Sequence, residues 1–310
     1  MRTLILTSLV VAACGSADEM QSGPSPFIPG FNPTAPKAGQ LRVVTPPTPL
    51  IPPGKDITYC SYLDFDVQKT MDVTSYLGFQ SKGGHHTILY AATHKQAPNT
   101  HECTDDDMYN VRYIGGGGTD ATISASQIPK GIVFRVPAGS QLMMVSHYIN
   151  ASLDSVVGQA AYNLDVQDPS PDVDPGDLLT VVKTDFTLPP GIGRAHTECL
   201  LKQDFKFFML GGHAHEYATN IKLGVVPISG NPTTFYDVAW DKSLIFNTPL
   251  NPYTKESPYE MHAGDRFTVD CTYNNTTDQP ISFPTEMCVG FGYFFPAQHE
   301  IDCVDEAWPG

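Results

Sequence analysis

Basic residues are scarce in this 310-residue chain: 18 Lys and Arg stand against 33 Asp and Glu, a formal net charge of −15. No basic cluster of the kind that neutralises phosphates occurs, which removes nucleic acid from the expected partners. Long helices lack room, because 27 Pro and 26 Gly are spread through the sequence and interrupt it repeatedly. The apolar run Leu4 to Ala13 is too short to cross a bilayer as a permanent helix. Histidine is limited to ten copies and cysteine to seven, so any place where either is concentrated carries information.

The N-terminus, MRTLILTSLVVAACGSAD, sets one Arg before the apolar run and small residues after it, the layout of an export signal over residues 1–17. Val11-Ala12-Ala13-Cys14 also fits a bacterial lipobox, with Cys14 lipidated; plain cleavage after Gly15-Ser16-Ala17 is the alternative. The only membrane contact expected is this lipid anchor, at the outer membrane or cell surface, and otherwise the chain is periplasmic or secreted. Residues 18–54 are rich in Pro and Gly and read as a semi-extended tether, with folding expected to begin near Lys55. Cys14 accounts for the odd cysteine. Cys60, Cys103, Cys199, Cys271, Cys288 and Cys303 remain, an even set that in an exported chain reads as three disulfides. A metal here is expected to be held by His, Met or carboxylate.

Several segments alternate apolar and polar residues with the two-residue period of half-buried strands. In RFTVDCTYN, Phe267, Val269, Cys271 and Tyr273 share one face, and in QLMMVSHYIN, Met143, Val145, His147 and Ile149 do. The Pro- and Asp-rich stretch Asp165 to Asp177 breaks the pattern and divides the body into 55–168 and 169–310. The expected fold is all-β, two antiparallel β-sandwich, jelly-roll-like domains. No sequence repeat between the two is visible.

His213 and His215 stand two apart in MLGGHAHEY, so on a strand both imidazoles point the same way and can reach one metal. Gly211 and Gly212 are expected to keep space open beside them; two satisfied surface histidines are the plainer reading. His85 and His86 follow Gly83 and Gly84. Adjacent strand residues point to opposite faces, so joint ligation needs an irregular strand end, which the glycines permit. His147 is either a ligand or a core histidine. Met287, beside Cys288, is either core packing or a thioether ligand, the latter implying a soft ion such as copper(I). Asp105-Asp106-Asp107 reads as a solvated loop rather than a calcium site. His94, His101, His196, His262 and His299 read as surface or capping residues.

Taken in order, Cys60, His85-His86, Cys103, IPKGIVFRV, His147, Cys199, His213-x-His215, CTYN from Cys271, Glu286-Met287-Cys288 and Cys303 resemble the copper type II, ascorbate-dependent monooxygenases, the family of peptidylglycine α-hydroxylating monooxygenase and dopamine β-monooxygenase. The resemblance covers about residues 55–305. It implies two copper ions per chain: an electron-transfer copper on His85, His86 and His147, and an oxygen-activating copper on the catalytic set His213, His215 and Met287. It also implies disulfides Cys60–Cys103, Cys199–Cys303 and Cys271–Cys288. The implied reaction hydroxylates an activated C–H bond of a small organic substrate with dioxygen, ascorbate or a similar electron donor supplying one electron at a time.

The chain departs from the family where the peptide-hydroxylating enzyme clamps its substrate carboxylate, since those positions here hold Gly211, Val289 and Phe291. A peptidylglycine substrate is therefore not expected. Val289, Phe291 and Tyr293 are candidates for a pocket that takes a small aromatic or aliphatic molecule. The missing clamp also motivates the alternative, a non-catalytic copper-binding or copper-delivery lipoprotein on the same scaffold.

Overall fold

The structure is a computed structural model that describes residues 27–92, 94–108, 111–117, 124–125, 128–245 and 248–308. The expected signal peptide and Cys14, with the first part of the expected tether, lie outside the described residues. Within them the fold is all-β: strands are joined by turns, and the only helical turns are 3₁₀ at Asp105–Met108 and Lys242–Leu244.

The four larger sheets form two pairs, and two short two-stranded ladders, Leu50–Ile51 with Val156–Val157 and Thr187–Leu188 with Ile281–Ser282, flank them. In the first pair, a five-stranded sheet runs in the order Asn99–Glu102, Asp56–Asp66, Gln141–Ile149, Gly84–Ala92, Val111–Gly117. It packs on a sheet in the order Gln40–Val44, Ala160–Gln167, Met71–Gln80, Ile132–Val136, Asp174–Pro175. Leu89, Leu142 and Met144 from one sheet meet Val73, Tyr162 and Leu164 from the other in the core between them. In the second pair, Gly191–Leu200, Arg266–Asn275, Ala218–Val226 and Thr233–Ala239 pack on Leu250–Pro252, Phe205–His213, Cys288–Phe295, Asp177–Lys183 and Ile301–Val304.

The inner strands of both pairs share one connectivity, while the outer ones differ: the parallel strand is on Ile132–Val136 in the first pair and on Asp177–Lys183 in the second. Gln141–Ile149 lies between Asp56–Asp66 and Gly84–Ala92, as Arg266–Asn275 lies between Gly191–Leu200 and Ala218–Val226. Ala160–Gln167 lies between Gln40–Val44 and Met71–Gln80, as Cys288–Phe295 lies between Asp177–Lys183 and Phe205–His213. A repeat is therefore present in topology, and one short echo survives in sequence. Tyr148-Ile149-Asn150-Ala151-Ser152 matches Tyr273-Asn274-Asn275-Thr276-Thr277, and the two buried Asn side chains do the same job. Asn150 Nδ2 donates to Ile51 O and Asp154 O while Ser152 donates to its Oδ1; Asn275 Nδ2 donates to Leu188 O and Gln279 O while Thr277 donates to its Oδ1.

Alternation in Arg266–Asn275 holds, with Phe267, Val269, Cys271 and Tyr273 buried and Arg266 and Asp270 exposed. Gln141–Ile149 differs from a half-buried strand: every residue but Ile149 is buried. Met143 and Val145 pack with Cys60, Tyr62 and Tyr90 on one side while Leu142 and Met144 enter the inter-sheet core on the other. A central strand covered on both faces loses the contrast that periodicity reads.

The expected tether over 18–54 is corrected for its described part. Gln40–Val44 is a strand in register with Ala160–Gln167, and Leu50–Ile51 pairs with Val156–Val157. Phe31 is buried against Phe79 and Ala161, and the Arg42 guanidinium lies 5.5 Å over the rings of both Phe27 and Phe79. Folding thus begins well before Lys55, because the scattered apolar residues between the prolines have an apolar surface to cover. The Asp165–Asp177 break is also shorter than expected, since Asp174–Pro175 pairs with Ile132–Val133 in parallel.

Three disulfides close as the family resemblance implied: Cys60–Cys103, Cys199–Cys303 and Cys271–Cys288, with Cα–Cα distances of 4.9, 6.1 and 5.8 Å. They fit an oxidising or extracellular environment. The last two each tie one sheet of the second pair to the other.

Candidate metal centres

His85 and His86 begin the strand Gly84–Ala92, and His147 lies opposite them near the end of Gln141–Ile149. The register pairs His147 with His86 and Tyr148 with Gly84, so His85 is the extra residue of a β-bulge. A bulge re-aims one side chain, and that is how two adjacent histidines join a third on one side of the sheet. Gly83 takes the left-handed backbone, φ +82°, and a Cβ on Gly84 would lie 2.4 Å from Gln80 Cβ, so both glycines are needed for the irregular strand end. One ligand atom from each of His85, His86 and His147 lies within 4.8 Å of the others, and the ring centroids are 5.0 to 5.9 Å apart.

His147 Nε2 donates to Asp56 Oδ1 at 2.5 Å, which leaves Nδ1 as its ring atom for a metal. Burial lowers the His86 pKa to about 3, with help from charge on His147, His85 and His213. A neutral imidazole keeps its lone pair, so the donor set fits a borderline or soft cation that accepts nitrogen ligands.

The second cluster is built from the end of Phe205–His213, the turn after it and the start of Cys288–Phe295. His213 pairs with Val289, and the His213 and His215 rings are 5.1 Å apart at 85°. Burial, then charge on His215, lowers the His213 pKa to about 3. The His215 ring is oriented by Nδ1–H donating to Thr285 O at 3.1 Å, leaving Nε2 for a metal.

Glu286, fully buried, gathers this site. Its Oε1 accepts from the main-chain N–H of His215 at 2.5 Å and of Met287 at 2.9 Å, and its Oε2 accepts from Tyr217 N–H at 2.9 Å. One carboxylate therefore holds the histidine turn beside half-buried Met287, and Tyr273 Oη donates to Met287 O at 2.8 Å. Imidazole, imidazole and thioether are the donors that copper(I) takes, and Glu286 and Tyr273 place the main chain of Met287 beside the turn that carries the two histidines. The influence of His213 on His86 puts the two clusters within electrostatic reach of each other.

The four candidate pocket residues divide. Gly211 pairs with Phe291, and a Cβ there would lie 2.8 Å from Leu250 Cδ2 and 2.9 Å from Phe291 Cζ. At Gly212 it would lie 2.6 Å from Ile221 Cγ2. The expectation that these glycines keep space open is thus corrected: they permit close packing. Tyr293 sits in an aromatic cluster across the two sheet pairs, with ring centroids 5.1 Å from Tyr113, 5.9 Å from Phe208 and 6.1 Å from Phe134. Val289, beside His213, and Phe291 are half-buried.

In the sequence reading Glu286 stands only as part of the motif before Met287, with no role, and Asp56 and Trp240 are passed over; all three act on the candidate ligands through hydrogen bonds and contacts that no local pattern encodes. An acid directly before a ligand-type residue, Glu286 before Met287, was the one available signal. The solvated-loop reading of Asp105–Asp107 is corrected at Asp107, which is buried and accepts from Tyr62 Oη, Thr104 N and Oγ1, and the His101 ring. His196 and His262 lie at the surface beside Asp270 and Asp204.

No family model and no curated protein matches the chain. Among solved structures, the chain is similar to the major capsid protein P2 of bacteriophage PM2 at 7% identity and a TM-score of 0.31, over 84% of this chain and 100% of that one. It is similar also to the triple jelly roll protein of an archaeal virus at 10% identity and a TM-score of 0.26, over 87% and 63%. Likeness at this level identifies neither a family nor a function.

Proposed function

We propose that this chain is a copper-dependent monooxygenase with two β-sandwich domains and one copper on each. It hydroxylates an activated C–H bond of a small organic substrate, with dioxygen as oxidant and ascorbate or a similar donor as reductant. The observation that carries the reading is the convergence of residues distant in sequence into two sets: His85, His86 and His147, and His213 and His215 beside the main chain of Met287.

Copper bound at these sets supplies reversible one-electron chemistry and a place for dioxygen. The protein's own residues supply the rest. His86 and His213 are held neutral by burial, Asp56 and Thr285 fix which nitrogen of His147 and His215 faces inward, and Glu286 sets the spacing of the histidine turn from Met287. Gly211, Val289 and Phe291 bring no cation or amide to the second site, so the substrate is one that needs no carboxylate clamp. The copper sites, the electron donor, the substrate and a lipid anchor at Cys14 all belong to this proposal.

Oxygen consumption in the copper-loaded protein tests it. With ascorbate, a panel of small amines and aromatics is expected to include compounds that raise oxygen uptake and yield a hydroxylated product. A copper-loaded chain inert to the whole panel favours the second reading, non-catalytic copper binding or delivery. The close packing of Gly211, Leu250 and Phe291 favours that reading.

A further inference from the structure

Trp240 follows the strand Thr233–Ala239 and is 5% exposed. Its main-chain N–H donates to Thr219 O at 2.9 Å, which anchors it to the neighbouring strand. Its indole Nε1–H donates to His215 O at 3.1 Å, and its ring stands edge-on to His213, centroids 6.2 Å apart at 87°. A buried indole N–H requires an acceptor, and the acceptor here is the main chain of a candidate metal ligand. His215 is thus held at three points by three different groups: its N–H by Glu286, its C=O by Trp240 and its ring Nδ1 by Thr285 O. His213 is held by strand pairing to Val289 and by the T-shaped contact of its ring with the indole.

From this geometry we infer that Trp240 is a positioning residue for the second metal site. It fixes the main chain of His215 and the ring of His213 together, so that both imidazoles stand ready before a metal arrives. The role rests on the copper reading of the site. Groups that orient metal ligands from behind commonly govern affinity by 10- to 100-fold when lost, and neither Trp240 contact involves the His85, His86 and His147 set.

The test is a titration of the full chain with copper(I) under a competing chelator, without oxygen. Trp240→Phe keeps an apolar ring and removes the N–H; Trp240→Ala removes both contacts. His213→Ala identifies which copper belongs to the second site, and circular dichroism establishes that each variant is folded. Trp240→Phe is expected to lower affinity at the His213-dependent site about tenfold, with affinity at the first site unchanged. In a Trp308→Phe background, where Trp240 is the remaining tryptophan, copper at the second site is expected to quench its emission and copper at the first site to do so less. Trp240→Phe and Trp240→Ala chains that hold the second copper as tightly as the natural chain overturn the role of Trp240 and leave the copper reading standing. A natural chain with no His213-dependent copper overturns both. Equal weakening of both sites makes Trp240 a residue of general stability and overturns the inference.

Discussion

Glu286 is the residue on which the second cluster depends most visibly. It is a buried acid whose two oxygens accept from three main-chain donors. Glu286→Gln replaces one acceptor by an NH₂ group that faces an N–H, leaving a buried donor unsatisfied. Unfolding in urea is expected to show a loss of about 1–3 kcal/mol; an unchanged midpoint means water or a shifted turn replaces the carboxylate. Asn150 and Asn275 make the same point. Each fits the Asn-x-Ser/Thr acceptor pattern, yet each is 2% exposed and its amide is spent on two main-chain carbonyls. Either Asn→Ala change is expected to lower stability by about 1–3 kcal/mol in the same assay.

At the level of strands and turns, the bulge at His85 and the short clamp at Cys288 decide whether the candidate ligands of the proposed sites meet. The clamp is the disulfide Cys271–Cys288, 17 residues apart in sequence and joining the two sheets beside Met287. Replacing both cysteines by Ala is expected to lower stability by about 3 kcal/mol, the loop-closure value for this length, and to weaken the second copper more than the first. Equal copper affinity at both sites in that variant shows that Glu286 alone suffices. Much of this was legible in the sequence: the alternation in Arg266–Asn275, the spacing of His213 and His215, and the need for an irregular strand end at His85. The strand Gln141–Ile149 was only half legible, because Leu142, Met144 and Tyr148 are as buried as the face that alternation selects. The segment 27–54 was misread because proline content suggests a tether, whereas Phe31, Val43 and Ile51 find apolar partners far along the chain.

Across the whole molecule, the junction between the sheet pairs is a feature no sequence pattern signals. Phe208, Met209 and Phe295 of the second pair belong to the core of the first, and Arg112 forms an ion pair with buried Asp177 at 2.5 Å. Glu300 lies within electrostatic reach of Arg112, Asp177 and Asp302, so the Arg112 guanidinium acts on two acids, Asp177 and Glu300. Burial raises the Glu300 pKa to about 9, with charge on Asp302 and Asp177 adding to it, and burial raises Asp177 to about 6 against the opposing pull of Arg112. Both folded values lie above those of the unfolded chain, near 4, so the folded state holds these protons more tightly. The stability they contribute is present in full below about pH 4 and is lost as pH rises towards about 9. Thermal unfolding is expected to show Glu300→Gln gaining on the natural chain from neutral to alkaline pH; parallel curves contradict this origin of the slope.

Copper-edge X-ray absorption on the chain loaded with copper(I) tests most directly whether two separate ligand sets exist. The proposed sites require two coppers per chain, a shell dominated by imidazole nitrogen, and a single sulfur scatterer that disappears in Met287→Ala while the fold persists. His147→Ala should remove one copper and leave the sulfur signal in place. A single copper, or a shell without sulfur in the natural chain, contradicts the paired sites and the hydroxylase built on them.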